Sequence, residues 1–182
     1  NSGKLRENRC VMYISVSLDN FLSLYSEAKT EEVFSQIKSI LLQSFSPLKN
    51  GLISSYGKYT YVAYSTLNSE EVTSLVDDFN TSLTKCLTDS GALNIVDVKI
   101  GSFFAFGSDV SFDEAINRAK QACILAKNEK LPYAVWDISS GKNLEKKIEI
   151  ENNIESEIDN NRFFLVYQPV LDAKTKEIIG AE

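Results

Sequence analysis

The 182-residue sequence contains no histidine, and this absence excludes two large classes of functional site. A catalytic triad with an imidazole base and a zinc centre with histidine ligands both need that side chain. Only three cysteines are present, Cys10, Cys86 and Cys123, and their spacing matches no metal-binding motif. An odd number of cysteines without such a motif favours free thiols in a reducing compartment. We therefore expect all three to be small core residues.

Long apolar runs and an excess of basic residues are also missing. The longest apolar runs, such as Phe163-Phe164-Leu165-Val166, are far too short to cross a bilayer. The net charge is −6, whereas general nucleic-acid binding requires clustered Lys and Arg. No signal peptide follows Asn1. We expect no contact with nucleic acid or membrane and a cytoplasmic location, as a soluble protein or as the cytoplasmic part of a membrane-anchored sensor.

Two short runs rich in aromatic and β-branched residues lie on either side of Gly57-Lys58. Such runs favour strands, and a glycine between them can take the positive φ of a tight turn. The pattern predicts a β-hairpin from Leu52 to Tyr64 with its tip at Gly57-Lys58, and this tip carries no acidic residue. Its tyrosines are either half-buried sheet residues or an exposed patch for a partner protein, for which exposure of Tyr59 and Tyr61 would be the test.

The alternation from Cys10 to Leu18 predicts a central strand, and Asp19 directly follows it. An aspartate there is either the N-cap of a short helix or a metal or phosphate ligand. Further helix starts are predicted with Thr30 as a cap, at 68–71 and at 111–114. Other strands are predicted at 95–103, where Gly101 suggests close backbone approach or a bulge, and at 133–137.

This order of elements predicts an α+β three-layer sandwich, in which helices flank a central sheet that contains antiparallel strands. We assign this domain to residues 1–138. A charged connector helix is expected at 139–161, because apolar residues recur on one face between Lys and Glu. Residues 162–182 read as the N-terminal hairpin of a second, truncated domain.

The last stretch carries the most specific motif of the sequence. Arg162 to Asp172 reads RFFLVYQPVLD and is followed by Ile178-Ile179-Gly180-Ala181-Glu182. Both segments closely resemble the opening of the EAL domain of bacterial cyclic-di-GMP phosphodiesterases. The resemblance makes Glu182 the glutamate of the motif, a ligand of the catalytic metal, with Mg²⁺ or Mn²⁺ expected for a complete EAL domain. The family's other ligands would lie further along the chain.

EAL domains often follow a GGDEF domain, the fold of diguanylate cyclases, and residues 1–138 resemble one. Leu18-Asp19-Asn20-Phe21 resembles the family's Asp-x-Asp-x-Phe, and Lys99-Ile100-Gly101 resembles its Ser-x-Gly strand. The segment from Arg118 to Lys127 resembles its Ala-Asp-x-Ala…Ala-Lys helix. The signature turn then falls on Gly57, Lys58, Tyr59, Thr60 and Tyr61.

The departures from the family concern its metal ligands. A diguanylate cyclase condenses two GTP molecules and needs carboxylates that hold magnesium ions. Where the family has these carboxylates, this chain has Ser17 in the first strand and Tyr59 and Thr60 in the signature turn. Asp19 survives, but it corresponds to the second aspartate of its motif. Lys58 replaces the second glycine of the signature.

The nucleotide-binding positions depart as well. The residues that read guanine in the family fall on Tyr25 and Phe34. Of its phosphate-holding pair, Lys127 remains, whereas Leu131 takes the place of the arginine. The resemblance therefore implies a GGDEF module without catalytic residues of its own, which binds no cofactor and serves its own EAL domain as a regulatory or dimerising part.

Alternatives stay open at this point. The module could bind GTP or another nucleotide as an allosteric ligand through the residual candidates Asp19, Lys58 and Lys127. Cyclic-di-GMP as a ligand, a homodimer and a protein-interaction module are further alternatives, and an active cyclase is the weakest, because its carboxylates are missing.

Overall fold

A computed structural model describes residues 9–46, 51–105, 110–137, 153, 158 and 166–181. The chain divides into two compact units, Asn1–Leu144 and Glu145–Glu182. No helix in the described ranges is long and apolar enough to cross a membrane.

The first unit is built on a five-stranded mixed sheet. Its strands in space follow the order β2-β3-β1-β4-β5, with β1 in the centre. Neighbouring strands pair antiparallel except for β4 and β5, which are parallel. The strands are β1 (Arg9–Ser17), β2 (Leu52–Gly57), β3 (Thr60–Ser65), β4 (Asp97–Ala105) and β5 (Tyr133–Val135).

Helices cover both faces of this sheet. They are α1 (Asp19–Leu24), α2 (Glu27–Phe45), α3 (Ser69–Asp89) and α4 (Phe112–Asn128). Because successive strand residues point to opposite faces, Ile14 of β1 joins a core with Ile37 of α2 and Phe79 of α3. Val11 faces the other way and packs with Ala119 of α4. The predicted α+β three-layer sandwich is thereby confirmed.

Helix α4 approaches β4 closely because Gly101 has no side chain. A Cβ on Gly101 would lie 2.1 Å from the backbone nitrogen of Cys123 and 2.2 Å from the carbonyl oxygen of Ala119. Small residues on the facing side of α4 complete the close contact, and Ala119 and Ala122 are buried there. The prediction of close backbone approach at Gly101 is confirmed.

Two predicted caps are wrong. Helix α2 begins at Glu27 and not at Thr30, because Ser26 accepts a hydrogen bond from the backbone nitrogen of Lys29 and so provides the cap earlier. Thr30 lies inside the helix, where its hydroxyl donates to the Ser26 carbonyl. Asp19 is the first residue of α1, and Leu18 occupies the N-cap position.

The other helix ends follow the sequence more closely. Asn68 and Glu71 form a reciprocal capping box at the start of α3. Ser111 caps α4 by accepting from the backbone nitrogen of Glu114. Gly91, with a φ of +69°, follows the end of α3 in the left-handed conformation common after helices.

The hairpin exists, but its tip lies one residue further along than predicted. Strands β2 and β3 are joined by Lys58 and Tyr59. Gly57 is the last residue of β2 and pairs with Thr60, and its φ lies outside the left-handed region. The expected positive φ at Gly57 is therefore not used. Instead, the pairing of β2 with β3 shifts its register between Ser55 and Gly57, and this irregularity accommodates the turn.

The thiols follow the prediction in two positions of three. Cys10 and Cys123 are buried, whereas Cys86 is only half-buried on α3, where its thiol lies 3.6 Å from the side-chain oxygen of Gln36. The prediction of a core position is therefore wrong for Cys86. All three are free.

The second unit contains a small antiparallel hairpin of β6 (Pro169–Leu171) and β7 (Ile178–Ala181). Asp172 organises its turn, because one carboxylate oxygen accepts hydrogen bonds from the backbone nitrogens of Lys174 and Thr175, each at 2.8 Å. These bonds lower the pKa of Asp172. The predicted connector helix at 139–161 lies outside the described residues except for Asn153 and Ile158, which are helical.

Candidate functional site

The hairpin turn lies beside the end of β1. The backbone nitrogen of Val16 donates to the carbonyl oxygen of Tyr59 at 2.9 Å, and Ser15 pairs with Thr60. Side chains alternate along β3, so Thr60 shares the α4 face of the sheet with Ser15. Tyr61 faces the opposite side and belongs to the core below α2 and α3. The five residues of the turn are thus divided between the two faces.

Aromatic packing fills the space between the turn and α2. The rings of Phe34 and Tyr59 meet edge to face with centroids 4.7 Å apart, and Phe34 is 8% exposed. Tyr61 is 3% exposed, and Tyr59 packs against the core. The alternative of an exposed tyrosine patch therefore fails its test at Tyr59 and Tyr61, although Tyr56 is exposed.

Lys58 at the tip is directed toward α2. Its ammonium lies 3.3 Å from a carboxylate oxygen of Glu31 and 4.9 Å from the ring centroid of Tyr59. Hydrogen bonds to Tyr59 and Glu31 raise the pKa of Lys58. This exposed lysine therefore interacts with Glu31 and Tyr59 on the face of the sheet that α2 covers.

Asp19 stands apart from the turn, at the start of α1. The hydroxyl of Ser17 donates to its carboxylate at 3.3 Å, and Asp19 is otherwise exposed. Tyr25, just beyond α1, stacks on Phe21 with ring centroids 4.4 Å apart. The first turn of α1 thus carries a single carboxylate, that of Asp19, which interacts favourably with the positive end of the helix dipole.

A cavity opens on the α4 face, which we call the lysine pocket. Its volume is about 190 Å³. Strands β1 and β4 form its floor, where Ser15 pairs with Lys99 and Ser17 with Asp97. One face of α4 forms its wall, because residues three, four and seven positions apart lie on the same side of a helix. The lining residues are Tyr13, Ser15, Ser17, Asp97, Lys99, Lys120, Cys123, Ile124 and Lys127.

The charge of the lysine pocket is mainly positive. Three ammonium groups face one carboxylate, that of Asp97, which lies 3.1 Å from the ammonium of Lys99. The Lys99 side chain is 14% exposed. Burial raises the pKa of Cys123 to about 11, so its thiol stays protonated at neutral pH and adds no negative charge.

The structure separates two of the residual nucleotide-site candidates, Lys58 and Lys127. Lys127 lies in the last turn of α4 and lines the lysine pocket, whereas Lys58 pairs with α2 on the opposite face of the sheet. Asp19 does not line the pocket, but its carboxylate accepts a hydrogen bond from Ser17, which does. Leu131 is exposed beyond α4, and Glu182 lies outside the described residues.

Sequence reasoning missed Lys99 and Lys120 as site residues. A usable signal was present, because Lys120 and Lys127 are seven positions apart on one helix and therefore share a face. The pairing of Lys99 with Ser15 depends on the register of β1 and β4, which the sequence does not display.

A magnesium site of the cyclase type does not fit the residues present. No group of three or more Cys, Asp or Glu side chains that could hold a metal ion occurs in the part of the chain that the structure describes. Ser17 and Thr60 offer neutral hydroxyls, which are weak ligands for a hard divalent cation. The nearby ammonium groups of Lys99 and Lys127 would repel a divalent cation.

The sheet order, the covering helices and the hairpin beside the central strand define the fold of GGDEF and nucleotide-cyclase domains. No protein-family model and no curated protein sequence matches the chain. The likeness is to solved structures, at low sequence identity.

Three solved structures represent this likeness. The GGDEF domain of DgcB from Caulobacter crescentus, in complex with c-di-GMP, is 12% identical with a TM-score of 0.59, over 70% of this chain and 77% of that one. The active GGEEF domain of a diguanylate cyclase from Vibrio cholerae is 14% identical with a TM-score of 0.56, over 70% and 83%. LapD of Vibrio cholerae, an S helix-GGDEF-EAL structure bound to c-di-GMP, is 14% identical with a TM-score of 0.63, over 94% of this chain and 40% of that one.

Proposed function

We propose that residues 1–138 form a catalytically inactive GGDEF module with a regulatory or dimerising role in a bacterial cyclic-di-GMP signalling protein. The observation that carries the proposal is the contact of Phe34 with Tyr59. By the family resemblance, Phe34 stands where guanine is read and Tyr59 stands in the signature turn. Phe34 has no polar group that could bind guanine, and Tyr59 has no carboxylate that could bind magnesium.

The electrostatics of the α4 face support the same conclusion. Condensation of two GTP molecules needs cations that neutralise the phosphates and activate a 3′-hydroxyl. Ser17 and Thr60 supply no negative charge for such cations, and Asp97 is paired with Lys99. Incubation of the protein with GTP and Mg²⁺ tests the proposal, and formation of cyclic-di-GMP would refute it.

For the longer protein we propose hydrolysis of cyclic-di-GMP by an EAL domain that begins near residue 162. The support is the EAL-like sequence up to Glu182, the β6–β7 hairpin that this sequence forms, and the likeness to a GGDEF-EAL structure over 94% of the chain. In this proposal Glu182 is a ligand of Mg²⁺ or Mn²⁺, and the module regulates its own EAL domain.

The variant Glu182→Gln tests the hydrolase proposal in the complete protein. We expect conversion of cyclic-di-GMP to the linear dinucleotide to fall at least about a hundredfold, because the amide removes an anionic metal ligand. Glu177→Gln, in the turn before β7, is the matched control and should keep the activity. Equal rates in both variants would contradict the role of Glu182.

Nucleotide binding without catalysis is the second candidate function, and the lysine pocket favours it. Lys127 keeps a phosphate-binding position of the family and lies with two further lysines in one cavity. Lys58, by contrast, is engaged by Glu31 and Tyr59. A nucleotide would therefore be held from the α4 face and not from the hairpin tip.

A further inference from the structure

We propose that strand β2 is the contact between two copies of this chain, paired antiparallel about a twofold axis at Ser54. The pairing joins the two five-stranded sheets, edge to edge, into one continuous sheet. The inference deepens the proposed function, on whose dimerising role it rests, by naming the surface that the second copy occupies.

The first argument is that β2 is an unprotected edge. Among the described strands it is the last in the sheet on its side, and β3 is its one partner. The outer side of an edge strand carries backbone N–H and C=O groups that can pair with another strand, and charge, proline or shortness usually prevents this. The six residues from Leu52 to Gly57 include no charged residue and no proline. The opposite edge, β5, has only three residues.

The second argument is the exposure of two large side chains on one face of β2. Leu52 and Ser54 lie on the α4 face, as their pairing partners on β3 do. Tyr56 reaches the same face, because its ring meets that of Tyr13 edge to face with centroids 6.0 Å apart. Leu52 is 74% exposed and Tyr56 is 60% exposed, so both side chains are largely in contact with water.

A twofold axis at Ser54 brings these two side chains together. When such an axis relates two antiparallel strands, residues at equal distances on either side of it lie opposite each other. Leu52 of each copy therefore lies opposite Tyr56 of the other, and the small Ser54 meets its own copy on the axis. Pairs of an aromatic and an aliphatic side chain stabilise antiparallel sheets.

The neighbouring positions for the axis fit less well. An axis at Ile53 would place Tyr56 opposite a residue outside β2, and an axis at Ser55 would do the same to Leu52. The axis at Ser54 is the one that pairs both exposed side chains within the strand. The sequence of β2 is thus complementary to itself in one register.

The third argument is charge, and it favours a second copy as the partner. The chain carries a net charge of −6, so two copies repel each other in most orientations. At this edge β2 and β3 are both free of charged residues, and the adjacent Lys58 is paired with Glu31 on the α2 side. Two such edges meet without like charges facing each other, whereas a charged segment of another protein would find no countercharge on β2.

Disulfide cross-linking tests the register. The variant Ser54→Cys is combined with Cys86→Ser, because Cys86 is half-buried whereas the other two thiols are buried. Directly opposite residues have Cβ atoms about 4.5–5.5 Å apart, near the roughly 3.5–4.5 Å of a disulfide. On mild oxidation we expect Ser54→Cys to form a covalent dimer at least about tenfold faster than the matched control Ser55→Cys, which lies opposite Ile53 of the second copy. Equal rates in the two variants would overturn the proposed register.

Sedimentation equilibrium tests the association without a cross-link. The mass of the unchanged protein should rise from monomer to dimer with concentration. The dimer should be at least about tenfold weaker in Ser54→Lys, which places two ammonium groups opposite each other across the axis. Ser74→Lys adds the same charge to an exposed position of α3 and should leave the association unchanged.

Two results would overturn the proposal. One is a protein that stays monomeric up to millimolar concentration, which would leave the β2 edge to a strand of another protein. The other is an equal effect of Ser54→Lys and Ser74→Lys on the dimer. Cyclase activity would refute the inactive module without changing these masses, so the two failures are distinguishable.

Discussion

At the scale of single residues, the side chains at Ser17 and Thr60 decide the chemistry. Both lie on the α4 face, one on β1 and the other at the start of β3. A carboxylate at either position would bring negative charge to the end of the central strand, whereas a hydroxyl brings a neutral dipole. The neighbouring Lys99 and Lys127 add positive charge on the same face of the sheet.

Carboxylates introduced at these two positions should create affinity for a divalent cation. We expect the variant Ser17→Asp with Thr60→Glu to bind Mn²⁺ at least about tenfold more tightly than the unchanged protein, measured by electron paramagnetic resonance of free Mn²⁺. The physical reason is that two anionic oxygen ligands are added within reach of one ion.

The control for this experiment adds the same charges elsewhere on the hairpin. Ser54→Asp with Ser55→Glu places them on the exposed strand β2. An equal gain in both double variants would show that net charge alone attracts the ion. Tight Mn²⁺ binding by the unchanged protein that persists in Glu182→Gln would contradict the misfit between a metal ion and the described residues around the hairpin.

At the scale of elements, the contact of α4 with β4 fixes the geometry of the lysine pocket. Gly101 permits this contact, and Cys123, whose backbone a Cβ on Gly101 would meet, also lines the pocket. The thiol of Cys123 donates to the carbonyl oxygen of Lys99 at 3.4 Å. Spacing between helix and strand therefore determines how far Lys120 and Lys127 lie from Lys99.

The variant Gly101→Ala should lower the free energy of unfolding by about 3 kcal/mol or more, measured by urea denaturation. The added methyl group meets backbone atoms of α4 at distances down to 2.1 Å, so the helix itself must move. At Gly57, by comparison, a Cβ would lie 3.7 Å from Thr60, which is an ordinary van der Waals distance. Gly57→Ala should change the free energy by less than about 1 kcal/mol. Similar values for both variants would contradict the close packing of α4.

Most elements could be predicted from the sequence, because local patterns determine them. The alternation from Cys10 to Leu18 gave the central strand, and Asn68 with Glu71 gave the start of α3. The errors have local causes as well. Ser26 and Thr30 both resemble caps, and only the structure shows that the earlier residue is used. Gly57 suggested a positive φ, but a shift of register accommodates the turn instead.

The candidate site was harder to predict, because it depends on contacts between distant segments. Phe34 and Tyr59 are far apart in sequence, and their ring contact follows from the packing of α2 against the hairpin. Lys99 meets Lys120 and Lys127 only through the register of β4 and the position of α4. Lys58 and Lys127 both looked accessible to one nucleotide, but the sheet separates them.

At the scale of the whole molecule, fold and activity are separate questions. The chain shares the GGDEF and nucleotide-cyclase fold at 12% and 14% identity with the structures described above, so the backbone arrangement persists while most side chains differ. A fold of this kind supports different chemistry according to the residues at its site. Any activity of this module therefore depends on the side chains around the hairpin and the lysine pocket.

The most direct measurement is product analysis after incubation of the complete protein with GTP and Mg²⁺ or Mn²⁺. The variant Glu182→Gln should be used beside the unchanged protein, so that hydrolysis cannot remove any cyclic-di-GMP formed, and an active cyclase serves as the positive control. We expect neither cyclic-di-GMP nor its linear dinucleotide above a protein-free blank. Cyclic-di-GMP accumulating in proportion to protein and time, with loss of this activity in Lys127→Ala, would contradict the account.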